Sequence, residues 1–200
     1  FRNKIDLAVI TPETQPMPVA GKVVGEKVAA LLRQHGIRYL PNKKLVEIDG
    51  ELKFGDRSTE QFDLLIVVPP HRVPTALIYS GFASEDGWVA VDTSTLKTGF
   101  ENVYAIGDCA AIKLPSGAFL PKAGVFAEKE AEVVANNVIK ELTGKFVDNL
   151  PTVFSGEGSC YLEVGSGKAA FAEGKFFQQP PLVVMHEPSE QFLKEKAEFE

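Results

Sequence analysis

Thr98-Gly-Phe-Glu-Asn-Val-Tyr-Ala-Ile-Gly-Asp-Cys109 is the stretch on which the reading of the fold turns. Val103 to Ile106 is a short apolar run of the kind that lies buried in a parallel sheet. Gly107-Asp108 at its end places a carboxylate at the carboxyl edge of that sheet, where open α/β folds hold their ligands. Glycine lets the backbone approach a ligand closely, and aspartate accepts hydrogen bonds from sugar-like hydroxyls. A ligand-free strand-to-loop turn uses the same two residue types, so the surrounding pattern has to decide.

Toward the N-terminus, residues 5–10 read as a strand buried on both faces, broken by the proline-rich Thr11-Pro-Glu-Thr-Gln-Pro-Met-Pro18. Val24, Val28, Leu31 and Leu32 then recur at helical spacing within residues 23–35, and Gly36 supplies a stop. Short strands are expected at residues 37–40, 44–48, 51–54 and 62–68, with Asp49-Gly50 and Gly55-Asp56 as turn signals. The middle pair reads as a hairpin, and Asp63-Leu-Leu-Ile-Val-Val68 as another buried parallel strand, ended by Pro69-Pro-His-Arg-Val-Pro74.

A second unit opens with Trp88-Val-Ala-Val91 and includes the 103–106 strand. A helix over residues 124–142 follows, apolar at Val125, Phe126, Val133, Val134, Val138 and Leu142, and closed by Gly144. The flexible, Gly-rich Ser155-Gly-Glu-Gly-Ser-Cys160 leads into a strand at 161–164, a Gly165-Ser-Gly167 turn, a return strand at 169–172 and a charged helical tail. Alternating strands and helices give an α/β fold, with boundaries placed near residues 78 and 147.

The 200 residues are 44% apolar and 24% charged, the balance of an ordinary globular chain. With 27 acidic against 21 basic side chains and no basic block, nucleic-acid binding has no electrostatic footprint. No apolar run has the roughly 18 residues of a membrane span, and no signal peptide opens the chain. The two cysteines, Cys109 and Cys160, are too few for a disulfide framework and too far apart in sequence for a zinc site, so no metal is expected. Phe1 and Glu200 read as cuts within a longer protein.

The strand, Gly107, Asp108 and the threonine-rich lead-in Asp92-Thr-Ser-Thr-Leu-Lys-Thr98 resemble the second FAD motif of flavoprotein oxidoreductases that carry two dinucleotide domains. The match narrows at Val67-Val-Pro-Pro-His-Arg-Val-Pro74, which resembles a double-proline segment of sulfide:quinone oxidoreductases and flavocytochrome c sulfide dehydrogenases, and at Leu120-Pro-Lys-Ala-Gly-Val-Phe-Ala-Glu128 and Cys160-Tyr-Leu-Glu-Val-Gly-Ser-Gly-Lys-Ala-Ala-Phe171, which look like the sulfide:quinone oxidoreductase group. The resemblance implies an incomplete Rossmann-like, FAD/NAD(P)-binding fold with a small C-terminal hairpin and helix. Residues 1–77 would be the latter half of a nicotinamide-type domain, residues 78–147 the returning part of the FAD domain, and residues 148–200 a C-terminal region.

It further implies that Gly107 and Asp108 contact FAD and that Lys122, Ala123 and Gly124 bring a helix N-terminus to the flavin, where its positive end favours negative charge. Cys160 would be one member of a cysteine pair that passes electrons from a sulfur donor to FAD, with a quinone as acceptor. The residue-level alternatives stay open: Cys160 as a small hydrophobe at a strand start, Lys122 as a surface group, and His71 as a solvent-facing loop residue in place of a proton relay near the active site. Cys109 reads as structural.

The Gly-x-Gly-x-x-Gly fingerprints that hold a dinucleotide pyrophosphate do not occur, and both Gly156-Glu-Gly158 and Gly165-Ser-Gly167 read as hairpin glycines. By itself the chain is therefore expected to bind flavin weakly or not at all and to be inactive. Three functions remain open: sulfide:quinone oxidoreductase, NADH-dependent quinone reductase or a related pyridine-nucleotide flavoprotein, and a non-catalytic structural unit. The expected location is cytoplasmic or peripheral on a membrane, with a homo-oligomer left open.

Overall fold

The computed structural model describes residues 4–83 and 87–199. The chain forms two compact units, divided in sequence between Pro70 and His71.

In the first unit, β1 (Leu7–Ile10) lies parallel to β2 (Ile37–Leu40), with Leu7 opposite Ile37 and Ile10 opposite Leu40. A parallel pair needs a crossover, and α1 (Lys22–Gln34) supplies it where the apolar spacing predicts. Val24 is its buried anchor. A Cβ at Gly25 would lie 2.8 Å from the Pro16 carbonyl oxygen, so glycine is what lets the proline-rich loop close onto the helix. Asp49-Gly50 joins β3 (Leu45–Ile48) to β4 (Leu52–Phe54) as an antiparallel hairpin that buries Leu52 and Phe54. β5 (Thr59–Glu60), which no alternation announces, adds to the far side of β4.

Two expected strands do not form. Among the described residues, 62–68 have no strand partner, and Leu64, Ile66 and Val68 are 81%, 85% and 80% exposed. An apolar, β-branched run marks the capacity for a strand, but the strand exists only where a neighbour completes its hydrogen-bond ladder. Among the described residues the parallel sheet of this unit stops at two strands. Residues 103–106 carry only an isolated antiparallel bridge, Tyr104 opposite Lys97, although Ala105 is buried. The parallel pairing goes instead to β6 (Val89–Ala90) and β7 (Ala110–Ala111), so the ladder follows Asp108 rather than leading into it.

The second unit also holds a short helix, α2 (Thr75–Tyr79), and α3 (Gly124–Thr143), which Gly144 closes in the left-handed conformation at φ 77°. β8 (Glu157–Gly165), β9 (Lys168–Lys175) and β10 (Leu182–Met185) form an antiparallel sheet in the order β10-β9-β8. Gly165-Ser-Gly167 makes the hairpin between the first two, as its sequence predicts. α4 (Glu190–Phe199) brings Phe192 against Phe171, which in turn packs on Tyr161. Phe126 of α3 meets Phe154 and Phe176 edge to face, a favoured aromatic geometry.

The Ser155–Cys160 stretch is not a flexible loop with hairpin glycines. A Cβ at Gly156 would fall 2.6 Å from the Phe177 ring and one at Gly158 2.3 Å from the Phe126 ring. These glycines make room for aromatic rings, and β8 begins at Glu157 and takes in Cys160. Asn136, fully buried, accepts a hydrogen bond from the Val147 N–H at 2.7 Å and donates to the Leu150 and Pro151 carbonyls, which ties the segment after α3 back onto the helix.

Candidate functional site

Ile106, in extended conformation, delivers the chain to Gly107 at φ 66°, and Gly107–Cys109 forms one 3-10 turn. The Ala110 N–H closes it by donating to the Gly107 carbonyl. A Cβ at Gly107 would sit 3.5 Å from that of Ala127, ordinary contact, so it is the left-handed backbone that asks for glycine here. The Gly107 N–H donates to Glu130 Oε2 at 2.6 Å. Asp108 is exposed, and among the described residues its carboxylate makes no hydrogen bond or ion pair.

Lys122 braces the turn from the other side. Its Nζ donates to the Asp108 carbonyl and, at 3.0 Å, to the Ala110 carbonyl, and it lies 4.0 Å from the centre of the Trp88 ring. An ammonium over an indole face is held by the ring quadrupole. Its bonds are thus spent on the protein backbone, and what it offers a ligand is its charge. One residue later Ala123, also extended, caps α3 without a side-chain hydrogen bond, and no acidic residue occupies the first turn. The helix start is therefore open, with its amide donors and positive end unclaimed by side chains.

Gly107, Ala110, Lys122, Ala123, Phe126 and Glu130 border one shallow recess. Burial pushes the Glu130 carboxyl above its ordinary value, opposed by the Gly107 N–H and the Lys122 charge. Burial likewise pulls the Lys122 ammonium below its ordinary value, opposed first by Asp108. Each limits the cost of the other's charge in a partly dry setting. A free carboxylate, a left-handed glycine and an uncapped helix start beside a recess fit a ligand with both hydroxyl and anionic groups, as FAD has.

Of the residues singled out from sequence, Gly107, Asp108, Lys122, Ala123 and Gly124 come together here. Cys160 stands in the middle of β8, opposite Ala172. It shares a strand face with Gly158, the glycine that abuts Phe126 near the start of α3. Its side chain is exposed, yet neighbouring protein bulk still pushes the thiol above its ordinary value. Both cysteines are free; Cys109 Sγ donates to the Ile106 carbonyl at 3.2 Å, a structural role. His71 lies exposed in its loop. Sequence reasoning missed Glu130 and Trp88. Glu130 was visible as a carboxylate in the apolar helical stripe Phe126, Glu130, Val133; Trp88 had no signal beyond its place in an apolar strand.

Residues 3–138 match the family model for pyridine nucleotide-disulphide oxidoreductases. The chain belongs to that family. Among its relatives is the mitochondrial sulfide:quinone oxidoreductase of Schizosaccharomyces pombe, 34% identical over 167 residues that make up 76% of this chain and 34% of the relative. Ferroptosis suppressor protein 1 of Taeniopygia guttata is 28% identical over 61% of this chain and 35% of its own length. The chain thus spans about a third of the curated relatives it matches. In fold it is similar to the sulfide:quinone oxidoreductase of Aquifex aeolicus, with a TM-score of 0.80 and 19% identity over 99% of this chain and 49% of that one. It is also similar in fold to an FAD-dependent pyridine nucleotide-disulphide oxidoreductase of Desulfovibrio vulgaris, with a TM-score of 0.58 and 23% identity over 86% of this chain and 43% of that one. The incomplete α/β flavoprotein fold expected from the sequence is the fold found. Among the described residues no helix is long and apolar enough to cross a membrane.

Proposed function

We propose that this chain supplies one side of the FAD site of an oxidoreductase that passes electrons from a sulfur donor to a quinone. The observation that carries the flavin part is the Gly107–Cys109 turn, which leaves the Asp108 carboxylate exposed beside the uncapped start of α3. Asp108 would accept hydrogen bonds from hydroxyl groups of the cofactor, and the Gly124 end of α3 would meet its anionic edge. Bound FAD supplies an electron-pair carrier that protein side chains lack. Lys122 keeps the turn in shape and adds positive charge next to it.

In this reading residues 1–77 belong to a nicotinamide-type domain, 78–147 to the FAD domain, and 148–200 to a C-terminal region that brings in Cys160. The sulfide part rests on Cys160, on the Pro69-Pro70 segment and on the similarity to the Schizosaccharomyces pombe protein. A quinone acceptor would bring the full-length protein to a membrane surface.

One observation favours the alternative, an NADH-dependent quinone reductase that makes no use of this cysteine. Among the described residues Cys160 stands exposed in β8 and in no disulfide, and the protein packed around it pushes the thiol upward, away from the thiolate that sulfur chemistry needs. Cys160→Ser in the full-length protein separates the two. Loss of sulfide-dependent quinone reduction with bound FAD retained supports the sulfur route; unchanged reduction removes it and leaves the pyridine-nucleotide reading.

A further inference from the structure

Glu130 and Asn136 are the buried polar side chains among the described residues, and the chemistry above makes no use of Glu130. It lies four residues after Phe126 and three before Val133, both in the core, on a helix stripe that is otherwise apolar at that level. A carboxyl at 2% exposure is costly unless it does something specific. What it does is accept the Gly107 N–H at 2.6 Å, the donor at the left-handed residue that opens the Asp108 turn. The Gly107 carbonyl is taken by the Ala110 N–H, and the Asp108 and Ala110 carbonyls by Lys122. The turn is therefore held from both sides by side chains, while the Asp108 carboxylate is left exposed. Glu130, Lys122 and Gly107 also border the same recess.

We propose that Glu130 is a positioning residue for the flavin site: by accepting the Gly107 N–H it fixes the direction in which Asp108 is presented to FAD. The proposal rests on the flavin reading above. It concerns a group that acts through the turn rather than by touching the cofactor. Glutamine at this position keeps a carbonyl acceptor at the same reach. Leucine keeps the volume and suits the apolar stripe, so it removes the acceptor without loosening α3.

The test compares the full-length holoprotein with its Glu130→Gln and Glu130→Leu variants, measuring the FAD dissociation constant, the visible circular dichroism of bound flavin and the thermal midpoint of the apoprotein. Glu130→Gln is expected to match the wild type in affinity and dichroism. Glu130→Leu is expected to weaken FAD binding roughly tenfold, the worth of one hydrogen bond to a carbonyl-type acceptor, and to alter the dichroism. Its apoprotein stays cooperatively folded with a midpoint within a few degrees of the wild type, because the loss of the Gly107 acceptor offsets the gain from removing a buried carboxyl. Wild-type affinity and dichroism in Glu130→Leu overturn the role of Glu130, as does an equal loss in both variants. Absence of FAD from the wild-type protein overturns the flavin reading itself, and this proposal with it.

Discussion

The first unit leaves Leu64, Ile66 and Val68 at 80% exposure or more, whereas the second buries a carboxyl, Glu130, and an amide, Asn136, at 2% and 0%. Apolar side chains outside and polar ones inside reverse the usual order, and both cases have the same cause. Burial is decided by the partner available and only then by the side chain. Residues 62–68 have no strand beside them among the described residues. Glu130 and Asn136 have backbone donors and acceptors waiting at 2.6–3.3 Å. An apolar run with no strand beside it stays exposed, and a polar side chain whose backbone partners are in reach can be buried.

Substitutions sharpen that contrast, beginning with the tightest packing. Gly158→Val drives a side chain into the Phe126 ring and is expected to cost about 3 kcal/mol by overpacking, read from chemical denaturation. A cost near zero would mean that β8 does not pack against α3. Asn136→Ala leaves the Val147 N–H and two carbonyls without their partner; about 2 kcal/mol is expected in the same assay.

A pH series isolates the buried charge. Because burial holds the Glu130 carboxyl above its unfolded value, its contribution to stability is fully present below the unfolded value and is lost as pH rises through the folded one. Glutamine does not titrate. Glu130→Gln should therefore gain on the wild type as pH rises from acid to mildly alkaline, by a few degrees in thermal midpoint. A difference that stays constant with pH would contradict a buried, titrating carboxyl. The smallest effect belongs to the first unit. Ile66→Asp should change the stability of the 200-residue chain by no more than about 0.5 kcal/mol, as at an ordinary surface site. A clearly larger loss would show that residue 66 is buried in solution.

What was legible in the sequence is what local rules determine. α1 and α3 follow from helical spacing, and their ends from Gly36 and Gly144, whose positive φ is the conformation helix stops favour. The Asp49-Gly50 and Gly165-Ser-Gly167 turns follow from the same chemistry. The strands at 62–68 and 103–106 were over-read because an apolar run reports a strand's side chains and is silent about its neighbour. β5 and β10 were missed because two or four residues carry too little pattern. In the site, Gly107, Asp108 and the start of α3 were legible as a motif. The side chains that hold the turn were less so: Glu130 reads as solvated surface until its place in the apolar stripe is counted, and the contact of Lys122 with Trp88 joins residues 34 positions apart.

The central claim, that the Gly107–Cys109 turn presents Asp108 to FAD, is tested most directly by the flavin content of the purified full-length protein with Asp108→Ala. FAD affinity at least roughly tenfold weaker is expected, the loss of hydrogen bonds to a charged acceptor, with a thermal midpoint of the apoprotein close to the wild-type value because among the described residues the carboxylate makes no hydrogen bond or ion pair. Stoichiometric flavin bound with wild-type affinity in that variant would contradict it.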